Sequence, residues 1–197
     1  MQPDPFSTHQ PLLVAALLNT QGPILEMGGG YYSTPIVSAF ANLQHREAHT
    51  VETGPAMYEL LKRFSSPFHK IWPVSGYDFA ADGRFMPRAD TTRAQYIEIQ
   101  ARFLADFCSK GPTRWSVVFI DQAPGYLRVP AIEHFADTAD FILTHDTELV
   151  DAYGFEPCLS QFRYRWDSRL HVPHATIVSN FHPCDGFASL LGQDSPA

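Results

Sequence analysis

The sequence has few cysteines, no long apolar run and no excess of positive charge. Its 197 residues include three cysteines, Cys108, Cys158 and Cys184, whose wide spacing matches neither a zinc-binding pair nor a disulfide framework. No run approaches the ~18–20 apolar residues of a membrane-spanning helix. The apolar stretch Leu12–Leu18 is short and lacks the basic residues that precede a signal-peptide core. We therefore expect a reduced, cytoplasmic protein with no membrane partner.

The charge balance disfavours partners of high negative charge. Lys and Arg total 14 while Asp and Glu total 21, so the formal net charge is −7. A protein that binds nucleic acid usually carries the opposite balance. We therefore expect a small-molecule substrate and no nucleic-acid partner. The length favours a single domain over residues 1–197, and it leaves open whether that domain forms a homodimer.

Apolar strands and helices alternate along most of the chain. The predicted strands are Ile24–Met27, Ala48–Thr53, Lys70–Val74, Trp115–Ile120 and Phe141–Leu143, and the predicted helices between them are Pro35–Leu43, Ala56–Phe64, Thr91–Ser109 and Ala131–Phe135. This alternation predicts an α/β fold, a Rossmann-like, doubly wound and mostly parallel sheet with helices on both faces. Residues 1–22 would form an N-terminal helical cap, and residues 77–113 an insertion and helix before the fourth strand.

Two further features refine the sheet. Phe162–Trp166 and Ala175–Ser179 are β-rich runs that predict an antiparallel hairpin at the C-terminal edge. Pro73 lies within the third predicted strand, and proline suits an edge strand better than a central one. In such sheets a ligand binds beyond the carboxyl ends of the strands. The candidate site residues should therefore be sought at those ends.

Three consecutive glycines, Gly28 to Gly30, lie between the first predicted strand and the helix after it. Glycine lets the backbone turn sharply and lets a ligand approach without a Cβ in the way. The helix, opened by Ser33 or Thr34, offers free N–H groups and positive potential. A tight turn that binds nothing would also use these glycines, so the turn alone does not decide the function.

Two acids accompany the glycine turn. Glu52 follows the second predicted strand, 52 − 30 = 22 residues after Gly30. An acid about 20 residues beyond such a turn can accept hydrogen bonds from the ribose hydroxyls of a nucleotide-like ligand; an ordinary strand-end carboxylate is the alternative. Glu26 lies inside the first strand. Its charge is unfavourable beside the pyrophosphate of NAD but suits a ligand that carries an ammonium group.

These residues resemble the first motif of the class I S-adenosylmethionine-dependent methyltransferases, which reads acid-x-Gly-x-Gly. Glu26, Gly28 and Gly30 match that motif, whereas Tyr32 stands where a third glycine is usual. The resemblance extends from about Pro11 to Phe181 and implies a Rossmann-like fold with S-adenosylmethionine as methyl donor. The donor-binding residues that it implies are Glu26, Gly28, Gly30, Ser33, Thr34 and Glu52.

The ends of the fourth and fifth predicted strands resemble the reacting end of the same superfamily. Asp121 follows the fourth strand, and His145 and Asp146 follow the fifth. We expect these three residues to be catalytic, with His145 as the general base that takes a proton from a substrate hydroxyl. A histidine that only caps the strand is the alternative.

The resemblance to metal-dependent O-methyltransferases also implies a Mg²⁺ ion on Asp121 and Asp146, because Mg²⁺ needs only one or two carboxylates and waters. Gln122 stands where small metal-dependent relatives often have a histidine, so Mg²⁺ is an open expectation. Arg128 is a candidate for binding a phosphate or carboxylate of the substrate. A solvated loop arginine is the alternative.

The leading hypothesis is transfer of the S-adenosylmethionine methyl group to an oxygen of a small molecule. The second hypothesis is an oxidoreductase with an NAD-type cofactor on the same fold, which Glu26 disfavours. The third is a non-catalytic partner subunit that binds S-adenosylmethionine, which Tyr32 in place of a glycine leaves open.

Overall fold

The predicted strands join into one mixed sheet in a computed structural model that describes residues 4–77 and 85–192. The strands of the described residues are β1 Ile24–Met27, β2 Ala48–Glu52, β3 His69–Pro73, β4 Trp115–Ile120, β5 Ala139–His145, β6 Tyr164–Ser168 and β7 Ala175–Ser179. Their order across the sheet is β3-β2-β1-β4-β5-β7-β6. The first five strands pair in parallel, and β7 pairs antiparallel with both β5 and β6. The predicted fold class and the antiparallel pair are confirmed.

Helices cover both faces of the sheet. In the described residues they are α1 Gln10–Leu18, α2 Thr34–Gln44, α3 Pro55–Leu61, α4 Arg93–Lys110, α5 Arg128–Phe135, α6 Val150–Tyr153, α7 Phe155–Leu159 and α8 Gly186–Leu190. One buried cluster joins α1, α2 and α8 to one face, and another joins α4, α5 and α7 to the opposite face. Ile24 and Leu25 are neighbours in β1 and lie in different clusters, as the alternation of side chains along a strand requires.

The register of the central strands aligns their carboxyl ends. Met27, the last residue of β1, pairs with Val51 of β2 and with Ile120 of β4. The residues that follow these strands therefore share one edge of the sheet. This edge holds the glycine turn, Glu52 and Asp121, which lie far apart in sequence.

Sequence patterns located the elements well and their ends less well. Pro73 ends β3, an edge strand of the sheet, as expected. β5 extends to His145, past the predicted end at Leu143, and α5 begins at Arg128 rather than at Ala131. Residues 78–84 of the expected insertion lie outside the described residues. No helix within residues 4–77 and 85–192 is long and apolar enough to cross a membrane.

Candidate functional site

The first glycine of the turn is required by the packing of the sheet. Gly28 has φ +88°, a backbone conformation that side-chain-bearing residues rarely adopt. A Cβ atom on Gly28 would lie 2.4 Å from Cα of Gln122, at the end of β4. The turn passes directly against the β4 backbone, so Gly28 serves the fold whether or not a ligand binds.

The third glycine differs from the first. A Cβ atom added to Gly30 would meet only Oγ of Ser33, at the ordinary contact distance of 3.6 Å. Packing within the described residues therefore does not require glycine at this position. The space beside Gly30 is the part of the turn at which a ligand can approach the backbone.

Glu26 is a buried carboxyl group of β1, next to the glycine turn. It is 0% exposed, and its Oε2 accepts hydrogen bonds from the hydroxyls of Thr34 at 2.8 Å and Thr50 at 2.5 Å. Oε1 has no hydrogen-bond partner among the described residues. Burial raises the pKa of Glu26 to about 7, although the surrounding hydroxyls lower it. A buried acceptor left unpaired in this way fits a cationic group of a ligand.

The start of α2 is organised differently from the expectation. Ser33 is the N-cap residue, but its side chain makes no capping hydrogen bond. Thr34 instead accepts a hydrogen bond from the Gly30 N–H at 3.0 Å and donates to Glu26. Thr34 therefore links the turn to the buried carboxyl group, which explains why a hydroxyl is found at the start of this helix.

Glu52 ends β2 and is also buried. Its carboxyl group accepts hydrogen bonds from the backbone N–H groups of Gly54 and Gly29. Burial raises its pKa to about 7, although the backbone hydrogen bonds lower it. The structure thus brings both predicted acids to the glycine turn.

A cleft opens at this edge of the sheet and contains Gln100, a polar residue that the sequence patterns did not single out, beside Gln122. The cleft is lined by Met27, Gly28, Val51, Thr53, Val74, Tyr77, Gln100, Phe103 and Gln122. Gln122 Nε2 donates to Gln100 Oε1 and, at 3.0 Å, to the carbonyl of Leu127. The sequence pattern that could have identified Gln100 is a single glutamine on the otherwise apolar, buried face of α4.

Arg128 lies buried among the acids of the β4 and β5 ends. Its guanidinium group forms ion pairs with Asp121 at 2.9 Å and with Asp146 at 2.8 Å. It also donates to the carbonyls of Gln122 and His145. Burial would raise the pKa of Asp121, but Arg128 and His145 hold it below its usual value. Arg128 therefore positions the two acids. The sequence had instead suggested that Arg128 binds a phosphate or carboxylate of the substrate.

His145 is more deeply buried than the carboxylates of Asp121 and Asp146. It is 2% exposed, and its Nε2 lies 2.8 Å from the hydroxyl of Thr8. Its Nδ1 lies 3.3 Å from Oδ2 of Asp121 and 3.5 Å from Oδ1 of Asp146. Both ring nitrogens thus face protein atoms. A role as general base would require the segment at Thr8 to move away, so the structure favours Asp121 and Asp146 as the groups that meet a substrate.

The position expected for Mg²⁺ contains a side-chain cation. The guanidinium group of Arg128 pairs with both Asp121 and Asp146, the two carboxylates that were expected to share the ion. A different set of ligand atoms, on His9, Asp121 and His145, lies within 4.8 Å of one another. His9 was not recognised from the sequence, because a single histidine before a helix has no distinguishing pattern.

Solved structures with the same architecture are methyltransferases. The chain resembles a human methyltransferase 10 domain containing protein, with a TM-score of 0.54 and 10% identity over 90% of this chain and 83% of that one. It resembles a METTL16 MTase domain with a TM-score of 0.54 and 10% identity, over 92% and 71% of the two chains. It resembles human methyltransferase-like protein 13 in complex with SAH with a TM-score of 0.56 and 13% identity, over 97% and 95%.

The chain has the class I methyltransferase fold. No protein-family model and no curated protein matches its sequence. At 10–13% identity the likeness establishes the fold alone. Within this methyltransferase fold, any activity depends on the residues at the carboxyl ends of the strands.

Proposed function

We propose that this protein is an S-adenosylmethionine-dependent methyltransferase. The observation that carries the proposal is the buried carboxyl group of Glu26, which has one unpaired oxygen beside the glycine turn of a methyltransferase fold. A buried unpaired acceptor is costly unless a ligand satisfies it. The ammonium group of the donor's methionine portion supplies both the charge and the hydrogen bonds that Glu26 Oε1 lacks.

The rest of the donor fits the neighbouring residues. Glu52 can accept hydrogen bonds from both ribose hydroxyls, and the open face of Gly30 allows the ligand to lie against the backbone. Ser33 and Thr34 lie at the start of α2, close to the ammonium position. Bound there, the donor supplies an electrophilic methyl group on a sulfonium. The chain's contribution is to align that group with an acceptor.

We further propose that the acceptor is an oxygen atom of a small molecule that is neutral or positively charged. Asp121 and Asp146 present carboxylates with side chains 22% and 20% exposed at the end of the sheet where the methyl group would lie. These carboxylates and the net charge of −7 disfavour a polyanionic acceptor. Tritiated methyl transfer to small hydroxyl compounds, RNA and protein, measured in parallel, tests this choice; labelling of RNA alone would refute it.

Titration calorimetry with S-adenosylhomocysteine tests donor binding. We expect micromolar binding by the wild-type protein and at least about tenfold weaker binding by Glu26→Gln and by Glu52→Gln, since each loses a charge-assisted hydrogen bond. Glu98→Gln is the matched control, because Glu98 is 59% exposed on α4 and should bind normally.

Each hypothesis predicts a different result. Absence of binding by folded wild-type protein would refute the donor site. Fluorescence enhancement of NADH would instead indicate the oxidoreductase. Full donor binding without methyl transfer to any acceptor in the panel would indicate a non-catalytic partner subunit.

Donor binding should strengthen as the pH rises. Glu26 and Glu52 have pKa values of about 7, so both are mostly protonated at pH 5.5 and mostly ionised at pH 7.5. Because the ammonium group attracts the ionised form of Glu26, affinity for S-adenosylhomocysteine should increase over this range, by on the order of tenfold per group. The measurement is calorimetry at several pH values.

Adenosine provides the control for this pH dependence. It carries the ribose but no ammonium group, so it should keep only the part of the dependence that belongs to Glu52. Equal slopes for adenosine and S-adenosylhomocysteine would contradict the ammonium contact at Glu26.

A further inference from the structure

A histidine with no polar partner lies beneath the β4 and β5 ends. His9 is 2% exposed, and neither Nδ1 nor Nε2 has a hydrogen-bond partner among the described residues. Buried polar groups in folded proteins are usually satisfied by protein, water or an ion. A neutral imidazole nitrogen offers a lone pair that can bind such an ion.

Two further ligand atoms converge on His9. Its ring centroid lies 4.8 Å from that of His145, and Asp121 Oδ2 lies 3.3 Å from His145 Nδ1. The ligand atoms of the three residues lie within 4.8 Å of one another. Ligands that share one ion at about 2.0–2.2 Å in a tetrahedral site are roughly 3.3–3.6 Å apart. The pair on Asp121 and His145 already has this separation, and a shift of about 1 Å would bring the His9 ring to it.

Hydrogen bonding to Thr8 determines which nitrogen of His145 carries a hydrogen. The hydroxyl of Thr8 has a single hydrogen, which it donates to the carbonyl of Pro173 at 2.6 Å. Thr8 must therefore accept a hydrogen bond from His145 Nε2. With Nε2 as the donor to Thr8, Nδ1 is the nitrogen that faces Asp121 Oδ2, at 3.3 Å. Without a metal ion a hydrogen on Nδ1 joins these two atoms, and a metal ion between them would take the place of that hydrogen.

We propose that His9, Asp121 and His145 bind a divalent transition-metal ion of the Zn²⁺ class. Two imidazoles and one carboxylate suit Zn²⁺, Co²⁺ or Fe²⁺, whereas Mg²⁺ prefers oxygen ligands. The groups that surround the three ligands also suit a metal site. His145 donates its other N–H to Thr8, and the second oxygen of Asp121 is held by Arg128. Such outer contacts orient metal ligands in proteins. The site is separate from the donor-binding residues.

The ion would join the N-terminal segment to the sheet. His9 directly precedes α1, while Asp121 and His145 lie at the ends of β4 and β5. Metal that binds only the folded protein stabilises it by mass action. We therefore expect the ion to raise the melting temperature as well as to bind stoichiometrically.

Titration with Co²⁺ tests the site directly, because Co²⁺ replaces Zn²⁺ and gives visible d–d absorption bands. The protein is first treated with a chelator and dialysed. We expect the wild-type protein to bind one equivalent of Co²⁺, to release it to Zn²⁺ but not to excess Mg²⁺, and to melt at a higher temperature with Zn²⁺. Binding should weaken at least about tenfold in His9→Phe.

His9→Phe keeps the ring that packs at 4.7 Å from Phe119, so it should fold. His171→Phe changes an exposed histidine and should bind Co²⁺ as the wild type does. Equal Co²⁺ binding by His9→Phe would refute the site, as would the absence of stoichiometric Co²⁺ binding by the wild-type protein. Nitrogen NMR that shows both His145 nitrogens protonated in the presence of Zn²⁺ would also overturn it, because a proton would then separate His145 from Asp121.

Discussion

Replacing Gly28 with alanine is expected to cause a large loss of stability before any ligand is added. The new Cβ atom would lie 2.4 Å from Gln122 Cα and 2.6 Å from Gln122 N, and both are backbone atoms of the segment that follows β4. The φ of +88° adds conformational strain. Overpacking costs about 1–3 kcal/mol and the strained backbone of order 1–3 kcal/mol, so we expect a loss of roughly 3 kcal/mol or more.

Urea unfolding followed by circular dichroism measures this loss. A typical domain has a free energy of unfolding of about 5–15 kcal/mol, so a loss of this size should lower the urea midpoint strongly or abolish the folded state. Gly28 variants are poor reporters of donor binding, because weaker binding could result from the distorted turn rather than from a lost contact with the ligand. A Gly28→Ala protein as stable as the wild type would contradict the close packing of the turn against β4.

Gly30→Ala is the matched control, and it also tests the ligand. Among the described residues, its Cβ would contact Ser33 Oγ alone, at 3.6 Å, so the free energy of unfolding should change by less than about 0.5 kcal/mol. If the donor lies against this turn, the added methyl group should weaken S-adenosylhomocysteine binding by on the order of tenfold. Unchanged affinity in stable Gly30→Ala protein would show that the ligand does not approach the backbone there.

Replacing Arg128 with methionine is expected to cause the second large effect. Arg128 has a side chain only 8% exposed and pairs with both Asp121 and Asp146. Without it, two neighbouring carboxylates lose their shared cation, and the carbonyls of Gln122 and His145 lose a donor. Removing one partner of a buried ion pair costs about 3–5 kcal/mol. Because the two acids are partly exposed, we expect about 2–4 kcal/mol in urea unfolding at pH 7.

Arg114 provides the comparison. It pairs with Asp140, but its side chain is 45% exposed, so Arg114→Met should cost less than about 1 kcal/mol. Similar losses in the two variants would show that Arg128 does not hold the acids in a desolvated network. An Arg128→Met protein that kept wild-type stability and donor binding but had a raised KM for the acceptor would instead support the substrate contact expected from the sequence.

The sequence was informative where a local pattern has one physical cause. Continuous apolar runs mark strands buried on both faces, and Pro73 marks an edge because it cannot donate to a neighbouring strand. The acids and glycines at 26–30 and 52 lie at the carboxyl ends of strands, where the fold places ligands. Each of these inferences depends on residues close together in sequence.

The sequence was less informative where a role depends on partners far away in the chain. Arg128 looks like an ordinary loop residue until Asp121 and Asp146 are seen on either side of its guanidinium group. His9 has no distinguishing motif, and its interest comes from Asp121 and His145. Gln100 lies on a face of α4 that is otherwise apolar, and only the structure shows that it accepts a hydrogen bond from Gln122.

The sequence alone determined the alternation of strands and helices, and therefore which residues end a strand and which turn contains glycine, because these depend on periodicity and backbone preference. The tertiary structure decided which strand ends are adjacent, and so which side chains share a charge or a proton. It showed that Gly28 is needed by packing and Gly30 is not. It placed Arg128 between two acids and His145 deeper than both, because burial and long-range contacts arise only when the strands and helices pack together.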